Sequence, residues 1–153
     1  MLVELKVFLI AMSPILELRG SIPMALGVYH LTWWSAFLIS VLGNIVPVIF
    51  ILLLLESVSG YLSRHSRLFN RFFTWLCERT RKKHAQTFER WKDLALMIFV
   101  AIPIPFTGAW TGSLCAFVFG IPFKRAFPAI AGGVIIAGII VTLATLGIIQ
   151  TTL

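Results

Sequence analysis

Two long apolar runs, residues 33–55 and 126–149, contain no charged side chain and limit this chain more than any other feature. Each is long enough to cross a bilayer, which takes roughly 20 residues of helix. The rest of the sequence agrees. Of 153 residues, 59% are hydrophobic and 12% charged, whereas a soluble domain is about one quarter charged. A soluble fold this apolar would expose patches large enough to aggregate. The expectation is an all-α integral membrane protein forming one membrane domain over 1–153.

Two further apolar stretches are interrupted. Residues 5–30 carry Pro14, Gly20 and Pro23 together with Glu17 and Arg19, and residues 94–121 carry Pro103, Pro105, Gly108 and Gly112. Irregular backbone at membrane depth must be buried in protein or line water, because lipid cannot satisfy its N–H and C=O groups. Kinked spanning helices and re-entrant hairpins both meet that condition. The segments follow the order broken, clean, basic, broken, clean. A shift of 90 residues places Val28-Tyr29 on Val118-Phe119, Leu31 on Ile121, Ala36-Phe37 on Ala126-Phe127 and Gly43 on Gly133. This order suggests an internal repeat.

Charge orients the elements. There are 13 Lys and Arg against 6 Asp and Glu, and the cations gather between Arg64 and Lys92, as in a cytoplasmic loop under the positive-inside rule. No recognition motif accompanies them, so nucleic acid is not an expected partner. Lys124 and Arg125 follow the second broken segment, whereas the equivalent connection, His30 to Ser35, has neither Lys nor Arg. Re-entrant hairpins put both basic clusters on the cytoplasmic side, and this favours hairpins over full crossings. The first repeat (1–56) is then a hairpin, 5–30, and a spanning helix, 33–55. A basic connector, 57–93, follows. The second repeat (94–153) is a hairpin, 94–121, and a spanning helix, 126–149. The repeats have inverted topology, with the connector cytoplasmic and the termini outside. Within the connector, Leu62, Phe69, Phe72, Phe73 and Leu76 alternate with Arg64, Arg67, Arg71 and Arg79, a pattern expected of an amphipathic helix lying on anionic headgroups.

Glu17 and Arg19 are the leading functional candidates. Charges at membrane depth are costly and usually face a cavity or a partner. Residues two apart diverge on a regular helix, but a hairpin tip broken by Pro14, Gly20 and Pro23 lets both turn towards one site. Glu17 is the candidate proton carrier, and Arg19 offers a planar fork for a phosphate or carboxylate. A structural Glu–Arg ion pair is the plain alternative. Ser21 belongs to the same motif. The second hairpin, with breakers Pro103, Pro105, Gly108 and Gly112, offers Thr107, Trp110 and Thr111 and freed backbone groups that could bind an ion. Small-residue helix packing is its plain alternative. Asn44, inside a span, is expected to bond across helices or to line the pathway. Cys77 and Cys115 have no redox or metal spacing, and His30, His65 and His84 form no metal constellation. No metal site, cofactor or enzyme activity is expected.

Glu17-Leu18-Arg19-Gly20-Ser21-Ile22-Pro23 together with Pro103-Ile104-Pro105-Phe106-Thr107-Gly108-Ala109-Trp110-Thr111-Gly112 resembles the prokaryotic small multidrug export protein family, which looks like a compact relative of the DedA/VTT superfamily. The resemblance implies facing re-entrant hairpins in a cell membrane, and for some relatives the flipping of lipids such as polyprenyl phosphates. By position it puts the family's acidic and basic members on Glu17 and Arg19. The second hairpin lacks the arginines common in DedA proteins. The expected function is a proton-coupled transporter or lipid flippase for an anionic or amphipathic, lipid-like substrate. A small multidrug exporter and a non-transport membrane scaffold are the alternatives. Membrane lipids are expected partners, and four short elements enclose so little that a homodimer or larger homo-oligomer is expected.

Overall fold

The computed structural model describes residues 2–65, 67, 68, 71, 75, 85–104 and 107–152. Every regular element among these residues is helical: α1 (Leu2–Met12), α2 (Glu17–Gly27), α3 (Trp33–His65), α4 (Ala85–Ala101), α5 (Ala109–Val118) and α6 (Phe123–Thr152). The two breaks fall where proline forbids a continued helix. α1 stops just before Ser13-Pro14, and α4 stops just before Pro103, because proline disfavours the helical conformation of the residue it follows.

The two long helices contain stretches of 26 residues (Trp33–Val58) and 29 residues (Phe123–Thr151) apolar enough to cross a membrane. At 1.5 Å per residue these measure about 39 and 43 Å, against a hydrocarbon core of about 30 Å. Ala36, Ser40, Asn44, Val48 and Leu52, four apart along α3, are all buried, while Leu38, Leu42, Leu53 and Leu54 face outward. A helix with apolar side chains on its outward face suits lipid better than water. The remaining helices are short. α1 and α2 have 11 residues each and α5 has 10, or about 15 to 17 Å, roughly half the core.

α1 packs on α2, and α4 on α5, as two helical hairpins. α1 also packs on α3 and α4 on α6; α2 and α5 each touch both long helices, and α3 packs on α6. Exchanging the first three helices for the last three maps this set of contacts onto itself. The 90-residue offset recurs in detail. Gly43 brings α3 against α1, where a Cβ would lie 2.7 Å from the Phe8 carbonyl oxygen, and Gly133 brings α6 against α4, where a Cβ would lie 2.6 Å from that of Met97. His30 (φ 50°) and Gly120 (φ 66°) both take left-handed backbone after α2 and α5. The next helices then open with Ala36 N–H donating to Thr32 O and Ala126 N–H donating to Pro122 O, both at 2.9 Å.

The long helices run antiparallel. Phe37 and Val41 of α3 pack at Gly138 of α6, while Leu52, Leu55 and Glu56 share a cleft with Gly120 to Phe123. Both ends of the second hairpin lie together: Lys92 Nζ reaches Phe119 O at 3.5 Å, and Arg125 Nε reaches Asp93 Oδ2 at 2.8 Å.

Some expected boundaries move. α3 continues past residue 55 to His65, well into the stretch assigned to the connector, and α4 begins at Ala85 rather than 94. Lys, Arg, Glu and Gln are good helix formers, so a charged stretch need not end a helix. Three assigned breakers lie inside helices: Gly20 and Pro23 in α2, and Gly112 in α5. Pro23 removes one backbone bond, yet the burial of Leu18, Ile22, Ala25 and Leu26 holds the helix together. Gly112 serves close packing, since a Cβ there would lie 2.5 Å from Val100 Cγ2. α3 likewise passes Pro47 without interruption. Phe69, Phe72, Phe73, Leu76 and Arg79 of the expected amphipathic helix, and Pro105, lie outside the described residues.

Candidate functional site

The two breaks meet. Glu17 opens α2 with left-handed backbone (φ 48°), which is uncommon for a residue with a Cβ, and its side chain is 6% exposed. The carboxylate lies against Gly108, where any Cβ would collide with both its oxygens. Oε1 accepts from the Trp110 N–H at 3.4 Å. Glu17 thus occupies the N-terminus of α5, where the first N–H groups lack helical partners and the helix dipole favours an anion.

Arg19 points the same way. Its Nη1 donates to the Ile104 carbonyl, and Nη2 donates to Thr107 Oγ1 at 3.2 Å. Thr107 Oγ1 in turn lies 2.7 Å from the Ile102 carbonyl and 2.8 Å from that of Ile104. The carbonyls freed where α4 ends are therefore satisfied by a hydroxyl and a guanidinium. The second hairpin reciprocates, as the Trp110 indole N–H donates to the Met12 carbonyl, the last of α1, at 3.2 Å. The expected convergence of Glu17 and Arg19 occurs, but both direct their hydrogen bonds to the second break rather than to each other.

Pro14, Leu16, Glu17, Arg19, Thr107 and Thr111 line a cleft of about 290 Å³ between the tips. The chemistry available there is one carboxylate, one guanidinium and two hydroxyls among apolar walls. Of the expected site residues, Glu17, Arg19, Thr107, Trp110 and Thr111 come together. Pro14 lies in the α1–α2 turn, Pro103 in the second break and Gly108 directly before α5. Among the described residues no cluster of His, Cys, Asp or Glu could hold a metal ion.

A model of the family described as "Putative small multi-drug export protein" matches residues 17–140, from the first hairpin's tip to well inside α6. The chain belongs to this small multi-drug export family. No curated protein and no solved structure matches it. Membership and the two apolar helices make it an α-helical membrane protein, and the match begins at Glu17 itself.

Asn44 and Ser21 do not line this cleft, and the bond across helices that Asn44 offers is not made: among the described residues Oδ1 and Nδ2 have no partner. Ser40, one turn from Asn44, escaped notice in the sequence and is likewise buried and unpartnered. Its spacing of four from Asn44 was the available signal. Gly108 read only as a breaker, because the carboxylate that excludes a side chain there comes from 91 residues earlier in the sequence.

Proposed function

We propose that the protein is a proton-coupled exporter of small amphipathic compounds, with the cleft between the hairpin tips as its binding and coupling site. The observation that carries this reading is Glu17. A buried carboxylate with left-handed backbone, held at another hairpin's helix terminus and open to a cleft, fits a functional group better than a plain structural one. Strained backbone concentrates at sites of function, and intramembrane acids mark proton relays. Arg19, donating to the Ile104 carbonyl and Thr107 Oγ1, keeps the second break in register.

In this reading both hairpins are re-entrant and enter from opposite faces, giving two inverted repeats of the kind that place transport sites near the midplane. Three arguments support it: α1, α2 and α5 are too short to cross, the contact pattern maps onto itself, and residues 91–93 adjoin residues 119–125. The second hairpin and the connector 57–93 are cytoplasmic in origin, the termini lie outside, and the membrane is a prokaryotic plasma membrane. Two long helices enclose little of a pathway, so the working unit is a homodimer or larger homo-oligomer.

A second reading, translocation of a phosphate-bearing lipid as in DedA-like proteins, draws on one observation. A groove of about 450 Å³ between α4 and α5 has apolar walls from Leu96, Phe99, Cys115 and Phe119, with Trp91 and Lys92 also lining it. An acyl chain with an anionic headgroup would suit those walls and that cation.

Both readings are tested in proteoliposomes under an imposed pH gradient, following ethidium and a fluorescent phosphate lipid in parallel. Gradient-driven ethidium movement that is lost in Glu17→Gln, with the variant still folded, is the expected result. Unchanged movement in Glu17→Gln removes the proton role. Lipid translocation without ethidium movement replaces the exporter with the flippase.

A further inference from the structure

Three buried polar side chains take no part in the tip contacts. Ser21 and Ser40 are 0% exposed and Asn44 is 1% exposed, and among the described residues Ser21 Oγ, Ser40 Oγ and both polar atoms of the Asn44 amide have no hydrogen-bond partner. Other buried hydroxyls here close onto their own helix: Ser113 Oγ donates to Ala109 O and Thr142 Oγ1 donates to Gly138 O, both at 2.7 Å. An amide or hydroxyl buried without a partner forfeits the hydrogen bonds it makes to water, so three together point to a ligand.

Their places in the fold are ordered. Ser21 is one turn from Glu17 on α2, and Ser40 one turn from Asn44 on α3. These helices pack together and are joined by the turn at residues 28–32. At 1.5 Å per residue, Ser21 lies about 9 Å from the turn along α2 and Ser40 about 10.5 Å along α3, while Glu17 and Asn44 lie about 15 and 16.5 Å away. Counted from the turn, Ser21 and Ser40 thus stand at similar heights along their helices, as do Glu17 and Asn44.

We propose that Ser21, Ser40 and Asn44 hold a buried file of water molecules between α2 and α3 that links the Glu17 carboxylate towards the α2–α3 turn. Water fits this set better than a small cation, because Asn44 Nδ2 needs an acceptor as much as Oδ1 needs a donor. Internal waters typically make about three hydrogen bonds to groups of this kind. The file gives a proton a route to and from a Glu17 oxygen on the turn side while the tips remain closed. The inference rests on Glu17 as the proton carrier, but its test reads hydration alone.

The test is water-edited solid-state NMR of the full chain in proteoliposomes, with asparagine and valine nitrogen labelled. Asn44→Leu identifies the Asn44 side-chain signal by its loss, and Ser40→Ala provides a milder change should that variant misfold. The expected result is rapid polarisation transfer from water to the Asn44 amide, slowed in Ser40→Ala. Transfer no faster than to the buried Val134 backbone would overturn the proposal. A shift of the Asn44 signal on adding sodium would overturn it in favour of a cation site. Loss of transport in Glu17→Gln with a hydrated Asn44, or the reverse, separates this proposal from the exporter reading.

Discussion

The two hairpin tips stand at equivalent places and have opposite chemistry. The first break is short, residues 13–16, and is followed at once by a carboxylate and a guanidinium. The second is longer, residues 102–108, and its described members carry no charge. The first tip supplies side chains, the second mainly the backbone groups that receive them: the Trp110 N–H for Glu17 and the Ile104 carbonyl for Arg19. Outside the tips the halves agree closely, as Gly43 with Gly133 and His30 with Gly120 attest. The helix contact pattern is shared between the halves, while the charge is not; under the proposed reading, one substrate and one proton need only one set of charges.

The largest expected effect tests the frame. Gly43→Ala and Gly133→Ala each force a Cβ onto a backbone carbonyl oxygen of the neighbouring helix, 2.7 and 2.6 Å away. Backbone cannot rotate aside as a side chain can, so the helices must part. Overpacking of this kind costs about 3 kcal/mol, at the upper end of the usual range. Thermal unfolding in detergent should show comparable losses for the two variants. A severe loss at Gly133 with none at Gly43 would break the equivalence of the halves.

Much of that frame could be read from the residues. The long helices, the breaks at Pro14 and Pro103 and the 90-residue offset all follow from hydropathy and proline. Other features could not be read this way, for identifiable reasons. Pro23, Gly20 and Gly112 have the composition of breakers, but tertiary packing keeps them helical. The continuation of α3 to His65 was hidden because Glu56 ends the apolar run, although a glutamate suits a helix and Arg64 was expected in a separate one. His30 gave no sign of left-handed backbone because it is not glycine. Glu17 and Arg19 stood out as charges in an apolar segment, but their partners lie more than 80 residues away in sequence.

The next effect tests the link between the tips. A Cβ at Gly108 would displace the Glu17 carboxylate from the α5 N-terminus. The obstacle here is the end of a side chain, so Gly108→Ala should cost less than the glycine changes above, about 2 kcal/mol. Its functional effect should nevertheless match that of Glu17→Gln, with gradient-driven transport lost in a protein that still folds. Full transport in Gly108→Ala would mean that the Glu17–α5 contact is not needed for coupling.

The smallest effect concerns a side-chain bond that runs the other way. Trp110→Phe keeps an aromatic ring but removes the indole N–H from the Met12 carbonyl. One hydrogen bond contributes about 1 kcal/mol, so the melting temperature should fall slightly. Transport should persist, because Glu17 binds the Trp110 backbone N–H, which phenylalanine retains. A loss of transport as deep as that of Glu17→Gln would show that the second tip contributes a working side chain as well as backbone. The division of chemistry between the tips would then have to be redrawn.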